Sequence, residues 1–308
     1  MNRAPLGLSA KRAQNAALRI AVGIATTGRP LILRRVLERL REQTRVPDAI
    51  VVSAPSMADV SGVNTDLPDL RCITGDRGLT IQRNAILRAV SDFNVVIFLD
   101  DDFVPSPRYL EVVEQVFQDA PDVVVGTGRV VADGILGPGL DVDDALNMLR
   151  DDGSAAASTR EIVDVYNAYG CNMAIRLDAV RAGGLTFDET LPLYGWLEDV
   201  DFSRRMAAYG RIVKISAARG VHLGAKSGRQ SGRRLGYSQV ANPLYLVRKG
   251  TCSRRKALKL MSRNLAANVA KTFRPEPYID RAGRLMGNIR ALLDLMGGRL
   301  SPERVLNL

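Results

Sequence analysis

Histidine and tryptophan each occur once in this 308-residue chain, as His222 and Trp196, and cysteine three times, at Cys72, Cys171 and Cys252. The cysteines are odd in number and widely spaced. They suggest neither a disulfide framework nor a zinc cluster, and a reducing compartment is the simpler reading. No stretch approaches the roughly 20 apolar residues of a membrane-spanning helix. Met1 to Leu18 is basic but lacks an apolar core of signal-peptide length. These absences predict a soluble or peripheral, cytoplasmic protein. Aromatic residues make up 5% of the chain, and no helix-turn-helix, zinc or RNA-recognition signature is visible, which weighs against nucleic-acid binding. Acidic residues are also missing from one long segment. Phe202 to Pro275 holds 18 Lys or Arg and no Asp or Glu, while the other 234 residues carry 25 basic and 33 acidic side chains. The net charge of +10 therefore belongs to one segment, whose partners are expected to be anionic.

What is present is a regular alternation of short apolar runs and helical periodicities. Leu18 to Ala25, Ala49 to Ser53, Leu70 to Thr74, Val95 to Leu99 and Val123 to Val125 read as strands. Helices are expected between them, with Leu33, Val36, Leu37 and Leu40 on one buried face, a second carrying Ile81, Ala85, Ile86 and Ala89, and a third over Pro105 to Phe117. This order predicts an α/β fold with a doubly wound, mostly parallel sheet. Beyond residue 130 the pattern loosens. Asp133 to Ser158 reads as an insertion or mobile loop, and Gly170 to Arg176, Ile212 to Ile215 and Gly220 to Leu223 as short strands. A helix is expected over Trp196 to Tyr209, and helices carry Leu258, Met261, Leu265 and Val269, then Leu285, Ile289, Leu292, Leu293 and Met296.

Three places carry chemistry. Asp100, Asp101 and Asp102 stand at the carboxyl tip of an apolar strand, where open α/β sheets bind ligands. Like charges so close repel, and a divalent cation or ligand hydroxyls relieve them; a solvated acidic turn is the alternative. Glu198 and Asp199 open a helix, a position that favours acids through the helix dipole but also suits a general base. His222 follows a short strand and precedes the Gly-rich stretch Gly224 to Gly232. One imidazole with carboxylate oxygens suits Mn2+, with Mg2+ also possible.

The order of these pieces resembles the inverting, nucleotide-sugar-dependent glycosyltransferases of family 2, with the GT-A fold. The resemblance runs from Ile20 to about His222 and rests on ATTGRP, RGLTIQRN (Arg77 to Asn84), FLDDDFVPSP (Phe98 to Pro107), GCNMAIR and FDETLPLYGWLEDVDFSRRM (Phe187 to Met206). It implies a catalytic domain over 1–225, with a nucleotide-sugar half at about 18–130 and an acceptor half at 131–225, and a basic, mainly helical region over 226–308. By the family pattern, Asp100 contacts the donor ribose and, with Asp102 and His222, the metal, while Asp101 assists. Asp199 is the base that deprotonates the acceptor hydroxyl, Glu198 positions base or acceptor, and Trp196 lies on the acceptor side. Thr26, Thr27, Gly28, Arg29, Ser53, Arg77 and Arg83 line the donor pocket. The implied cofactor is Mn2+ or Mg2+. The donor is a UDP-sugar by default, with GDP- or dTDP-sugars open, because Ala25-Thr26-Thr27-Gly28 and Ser53-Ala54-Pro55-Ser56 depart from the turns usual in the family. The acceptor is a glycan or a lipid-linked pyrophosphate sugar, in polysaccharide or glycolipid assembly.

The span Lys226 to Arg274, with 13 basic residues, reads either as a helix pair with a solvated basic face or as a surface for an anionic membrane and the acceptor's pyrophosphate. Rival readings are a nucleic-acid-binding protein, an inert glycosyltransferase-like scaffold, and a nucleotidyltransferase. The last is disfavoured because Thr26 to Pro30 offers one Gly and no Lys.

Overall fold

The structure, a computed structural model, describes residues 17–63, 69–152, 161–228 and 231–308. Strands β1 (Ile20–Ala25), β2 (Ala49–Ala54), β3 (Leu70–Thr74) and β4 (Val95–Asp100) run parallel in the order β3-β2-β1-β4. Helix α1 (Pro30–Arg41) follows β1 and α2 (Leu79–Ala89) precedes β4. The unbroken apolar runs of β1, β2 and β4 follow from burial on both faces. Successive side chains of a strand point opposite ways, so Val22, Ile24, Ile50, Ile97 and Leu99 pack with Leu33, Val36, Leu37 and Leu40 of α1. Ala21, Val51, Val96 and Phe98 meet Ile86 and Leu87 of α2 on the other side.

Past β4 the sheet becomes mixed. The next elements are β5 (Phe103–Pro105), α3 (Tyr109–Asp119), β6 (Val123–Asp133), α4 (Val142–Asp151), β7 (Ile162–Asp164), β8 (Asn172–Arg176), α5 (Leu177–Gly183), α6 (Glu198–Met206) and β9 (Arg211–His222). Strand β8 inserts antiparallel between β4 and β6, β9 lies parallel to β6, and β5 and β7 pair antiparallel with β9. Several sequence-based boundaries are corrected here. The helix expected from Pro105 starts at Tyr109, because Phe103–Pro105 is taken up as an edge strand. The strand expected over Val123 to Val125 continues to Asp133, through register shifts that no apolar periodicity announces. The two short strands of residues 212–223 are one bulged strand. Asp133 to Ser158 is not simply a loop: it contains the end of β6 and α4 before passing outside the described residues.

Three helices complete the chain: α7 (Gly232–Lys249), α8 (Arg254–Thr272) and α9 (Arg281–Met296). Helix α7, which no apolar stripe revealed, crosses α9 with backbones in close approach. A Cβ on Gly236 would lie 2.0 Å from the Arg284 carbonyl oxygen, and one on Gly287 2.0 Å from that of Arg233. Where the three helices meet, Asn268 donates to Gln239 at 2.9 Å and to Asn288 at 2.8 Å, all buried. The helices are tied to the α6 region by Lys249 to Asp201 (2.8 Å), Thr251 to Asp201 (2.7 Å) and Asn242 to the Trp196 carbonyl (2.8 Å). Among the described residues no helix is long and apolar enough to cross a membrane.

Candidate active site

The chain leaves β1 toward β2 on one side of the sheet, and β4 pairs on β1's other flank. The crevice at their carboxyl ends is therefore a switch point of the kind where ligands bind. Ala25 at the end of β1 is in register with Asp100 at the end of β4. From that tip three carboxylates diverge into three environments. Asp101 turns inward, accepting from Thr26 Oγ1 at 2.6 Å and Arg29 Nη1 at 2.8 Å. Burial, only partly offset by Arg29, pushes its carboxyl up to about 7. Asp102 is buried too. Burial is outweighed there by His222, Arg29 and the Ala225 N–H, which donates to it at 2.8 Å, and its carboxyl falls to about 2. Asp100 stays partly open and faces Arg83 Nη2 at 3.3 Å.

His222 arrives from the end of β9, a neighbour that only tertiary structure supplies. Its Nε2 lies 3.4 Å from Asp102 and 3.9 Å from Asp100. Ligand atoms of Asp100, Asp102 and His222 all fall within 4.8 Å of one another. On the far side of the ring, Nδ1 meets Asp133 Oδ1 at 2.9 Å, and Asp133 in turn accepts from the Tyr169 hydroxyl at 3.0 Å. Burial disfavours the imidazolium, yet the hydrogen bonds it donates to Asp102 and Asp133 lift its pKa to about 10. Three acids thus hold a proton where a cation fits. The chemistry of the donor set, two carboxylate oxygens and one imidazole nitrogen whose partner nitrogen is fixed by a carboxylate, suits a divalent metal.

Glu198 and Asp199 reach the crevice from the start of α6. The approach is a tight loop in which Leu193, Gly195 and Leu197 all take positive φ. The value of +75° at Leu197 is costly for a leucine and marks a conformation imposed by its surroundings. Glu198 bonds Arg83, a fully buried guanidinium that also donates to the Gly170 carbonyl at 2.7 Å and lies beside the rings of Phe98 and Phe187. Burial pushes the Glu198 carboxyl well up, against the pull of Arg83, and its Oε2 is buried without a hydrogen-bond partner. Asp199 accepts from the N–H of Gly170 at 3.1 Å and of Val200 at 2.7 Å, and burial again raises its pKa. A Cβ at Gly170 would stand 2.9 Å from Glu198 Oε1, so a larger residue there would displace that carboxylate.

The two acidic groups share one cavity of about 330 Å³, lined among others by Arg83, Asp100, Tyr169, Trp196, Glu198, Asp199 and Lys256. Of the remaining residues singled out from sequence, Thr26, Ser53 and Arg29 cluster at the β1 tip. Gln82 fixes that tip by donating to the carbonyls of Thr26 (2.9 Å) and Ser53 (2.7 Å). Gly28, at φ +68°, donates its N–H to Asp59, and Thr27 stands beside it against Gly228. Arg77 is exposed on the same rim and acts on Asp59 by charge alone. Sequence reasoning missed Asp59, Asp133 and Tyr169, and read Lys256 only as one of the basic residues of the segment Lys226 to Arg274. The first lies in a turn after β2 without a motif, and the others depend on long-range packing.

Residues 21–180 match the family model described as Glycosyl transferase family 2. Curated proteins gave no match to the sequence. Among solved structures, the chain is similar to S. aureus TarS 1-349 in complex with UDP-GlcNAc, with 13% identity, a TM-score of 0.59, and coverage of 94% of this chain and 83% of that one. It spans 36% of a longer TarS chain. It is also similar to the mannosyltransferase PcManGT from Pyrobaculum calidifontis in complex with GDP-Man and Mn2+, at 16% identity and a TM-score of 0.50 over 95% of this chain and 86% of that one. Identity this low establishes a shared fold, here GT-A. With the family's sequence pattern matched over half its length and that fold beneath it, the chain belongs to glycosyl transferase family 2.

Proposed function

We propose that the protein is an inverting, metal-dependent glycosyltransferase that moves a sugar from a nucleoside diphosphate donor to a hydroxyl of a glycan or lipid-linked sugar, with residues 1–225 as the catalytic domain. The observation that carries this reading is the convergence of Asp100 and Asp199, far apart in the sequence, on one cavity beside His222 and Asp102. Asp100, Asp102 and His222 would hold Mn2+ or Mg2+, which neutralises charge on a diphosphate leaving group. Asp199 takes the proton of the acceptor hydroxyl; burial raises its pKa, which makes the carboxylate a stronger base, and two backbone N–H groups fix its orientation. A single base opposite the leaving group gives inversion without a second catalytic carboxylate. Glu198 and Arg83 hold the loop that carries Asp199 against the strand tip that carries Asp100. The β1 tip, from Thr26 to Arg29 with Ser53, receives the nucleotide, UDP by default, and Trp196 borders the acceptor.

Support for a peripheral position at an anionic membrane on its cytoplasmic side comes from α9 rather than from the α8 stripe alone. Met286, Ile289, Leu293 and Met296 recur at helical spacing with 58%, 49%, 50% and 77% exposure. On α8, Leu258 and Val269 are exposed, but Met261 packs inward against the cluster around Tyr237. Flotation with anionic vesicles tests this part. The transferase reading is tested by a thermal-shift screen of nucleoside diphosphates and nucleotide sugars with and without Mn2+. Metal-dependent stabilisation by one nucleotide class is expected, and no stabilisation by any would refute it.

A further inference from the structure

Helix α8 contributes to the cavity wall. Lys256 and Leu260, on its first two turns, line the space together with Ile135, Tyr194 and Trp196, and with Asp199. Lys256 is half-buried. Its ammonium lies 4.0 Å from the ring centroid of Tyr166 and donates to Asn167 Oδ1 at 2.6 Å. Its charge is otherwise handled unlike that of neighbouring cations. Arg29 pairs with Asp101 and Asp102, Arg83 with Glu198 and Asp100, and Lys249 with Asp188 and Asp201. Among the described residues, no carboxylate forms an ion pair with Lys256. Burial accordingly pushes its pKa down, with Cys252 and Asp199 opposing more weakly.

A half-buried ammonium with no carboxylate in ion-pair contact is incompletely solvated, and an aromatic face and a neutral amide oxygen relieve it only in part. An ammonium has three donors, and Asn167 takes one. The same cavity holds Asp100, Glu198 and Asp199, which would repel an anionic acceptor and would need no added cation to accept a neutral one. The first turn of α8 adds the positive end of a helix dipole, and the exposed Arg254 and Arg255 precede Lys256 in it.

We infer that Lys256 binds an anionic group of the acceptor, a phosphate ester close to the hydroxyl that Asp199 deprotonates, so that the substrate class is a phosphorylated hydroxyl compound rather than a neutral glycan. Naming the ligand an acceptor rests on the transferase reading; the anion site itself does not.

The test is calorimetric titration of the full chain with inorganic phosphate, and separately with acetate. It is carried out with the donor side filled by Mg2+ and whichever nucleoside diphosphate gives the largest thermal shift, and again without nucleotide. The wild type is expected to bind phosphate in the millimolar range, Lys256→Met to lose at least tenfold, and Lys256→Arg to stay within threefold. Acetate binding as strong as phosphate would replace the phosphate with a carboxylate and overturn the stated substrate class. No phosphate binding by the wild type, or equal binding by Lys256→Met, would overturn the site. Melting temperatures separate a structural role: Lys256→Met should melt within about 2 °C of the wild type, and a much larger drop would mark the lysine as a packing residue. If no nucleotide binds yet Lys256→Met still abolishes phosphate binding in the nucleotide-free protein, the transferase reading fails while the anion site stands.

Discussion

Replacing Arg83 by methionine tests the assembly of the site most directly. Arg83 and Glu198 are 2% and 6% exposed and bonded to each other, and neither has water to fall back on. Removing one partner of such a buried pair leaves the other charge uncompensated, at a cost of about 3–5 kcal/mol. Methionine keeps most of the volume beside Phe98 and Phe187, so the loss measures charge more than packing. The double variant Arg83→Met/Glu198→Leu removes both charges and is expected to recover at least about 2 kcal/mol relative to Arg83→Met. Urea unfolding followed by circular dichroism reads these differences as midpoint shifts at constant slope. The pH dependence gives a second check. Without Arg83, burial raises the folded pKa of Glu198 even further above its unfolded value. Its contribution is then intact at low pH and lost as pH rises toward that folded pKa. Arg83→Met should be closest to the wild type near pH 5 and furthest from it near pH 8, whereas the double variant shows no such trend. An Arg83→Met protein within about 1 kcal/mol of the wild type at pH 8, or a double variant no more stable than Arg83→Met, would refute the pairing.

Asp199→Asn should lower transfer by about 10²–10⁴-fold while donor and metal still bind; near-normal turnover in a product assay would remove Asp199 as the base. Asp133→Asn removes the carboxylate charge from the far side of the His222 ring and should weaken Mn2+ binding about 10–100-fold, read by calorimetry, with the melting temperature changed far less. For the metal-free protein, His222 has a folded pKa of about 10 against an ordinary value of 6.5. Its contribution to stability is therefore full below pH 6.5 and lost as pH rises to 10. Unfolding free energy should fall across that window, and the fall should be absent in His222→Ala.

The donor half was largely legible because β1, β2 and β4 are buried on both faces and announce themselves as apolar runs, with the acidic tip at Asp100 to Asp102 following directly. The α1 face of Leu33, Val36, Leu37 and Leu40 is buried as its spacing predicts. The other half was harder for identifiable reasons. Strand β6 passes through Gly126, Thr127 and Gly128, which interrupt the apolar pattern, so its delivery of Asp133 to His222 could not be read. Helix α7 buries Ser238, Gln239 and Asn242 as well as apolar residues and contains Pro243, so neither stripe nor propensity marks it. Within the site, the ED pair was visible as acids at a helix start. The guanidinium beneath it comes from more than a hundred residues earlier in the sequence and pairs only in three dimensions.

The cavity takes one wall from α8, and Asn268 of α8 is hydrogen-bonded to Gln239 and Asn288 of the α7–α9 pair, whose backbones close on each other at Gly236 and Gly287. The helical region is therefore a template for one side of the pocket and cannot be treated as a tail. Cutting the chain after β9 would spare every acid at the strand tips yet leave the pocket open to bulk water on that flank. Exchanging the three helices as a block, with their glycine crossing intact, would instead reshape what enters beside Trp196 and leave the β1 tip unchanged. Diversification of such an enzyme then has a natural seam, with the helical region free to drift in partner choice while the rest of the chain stays fixed by its chemistry.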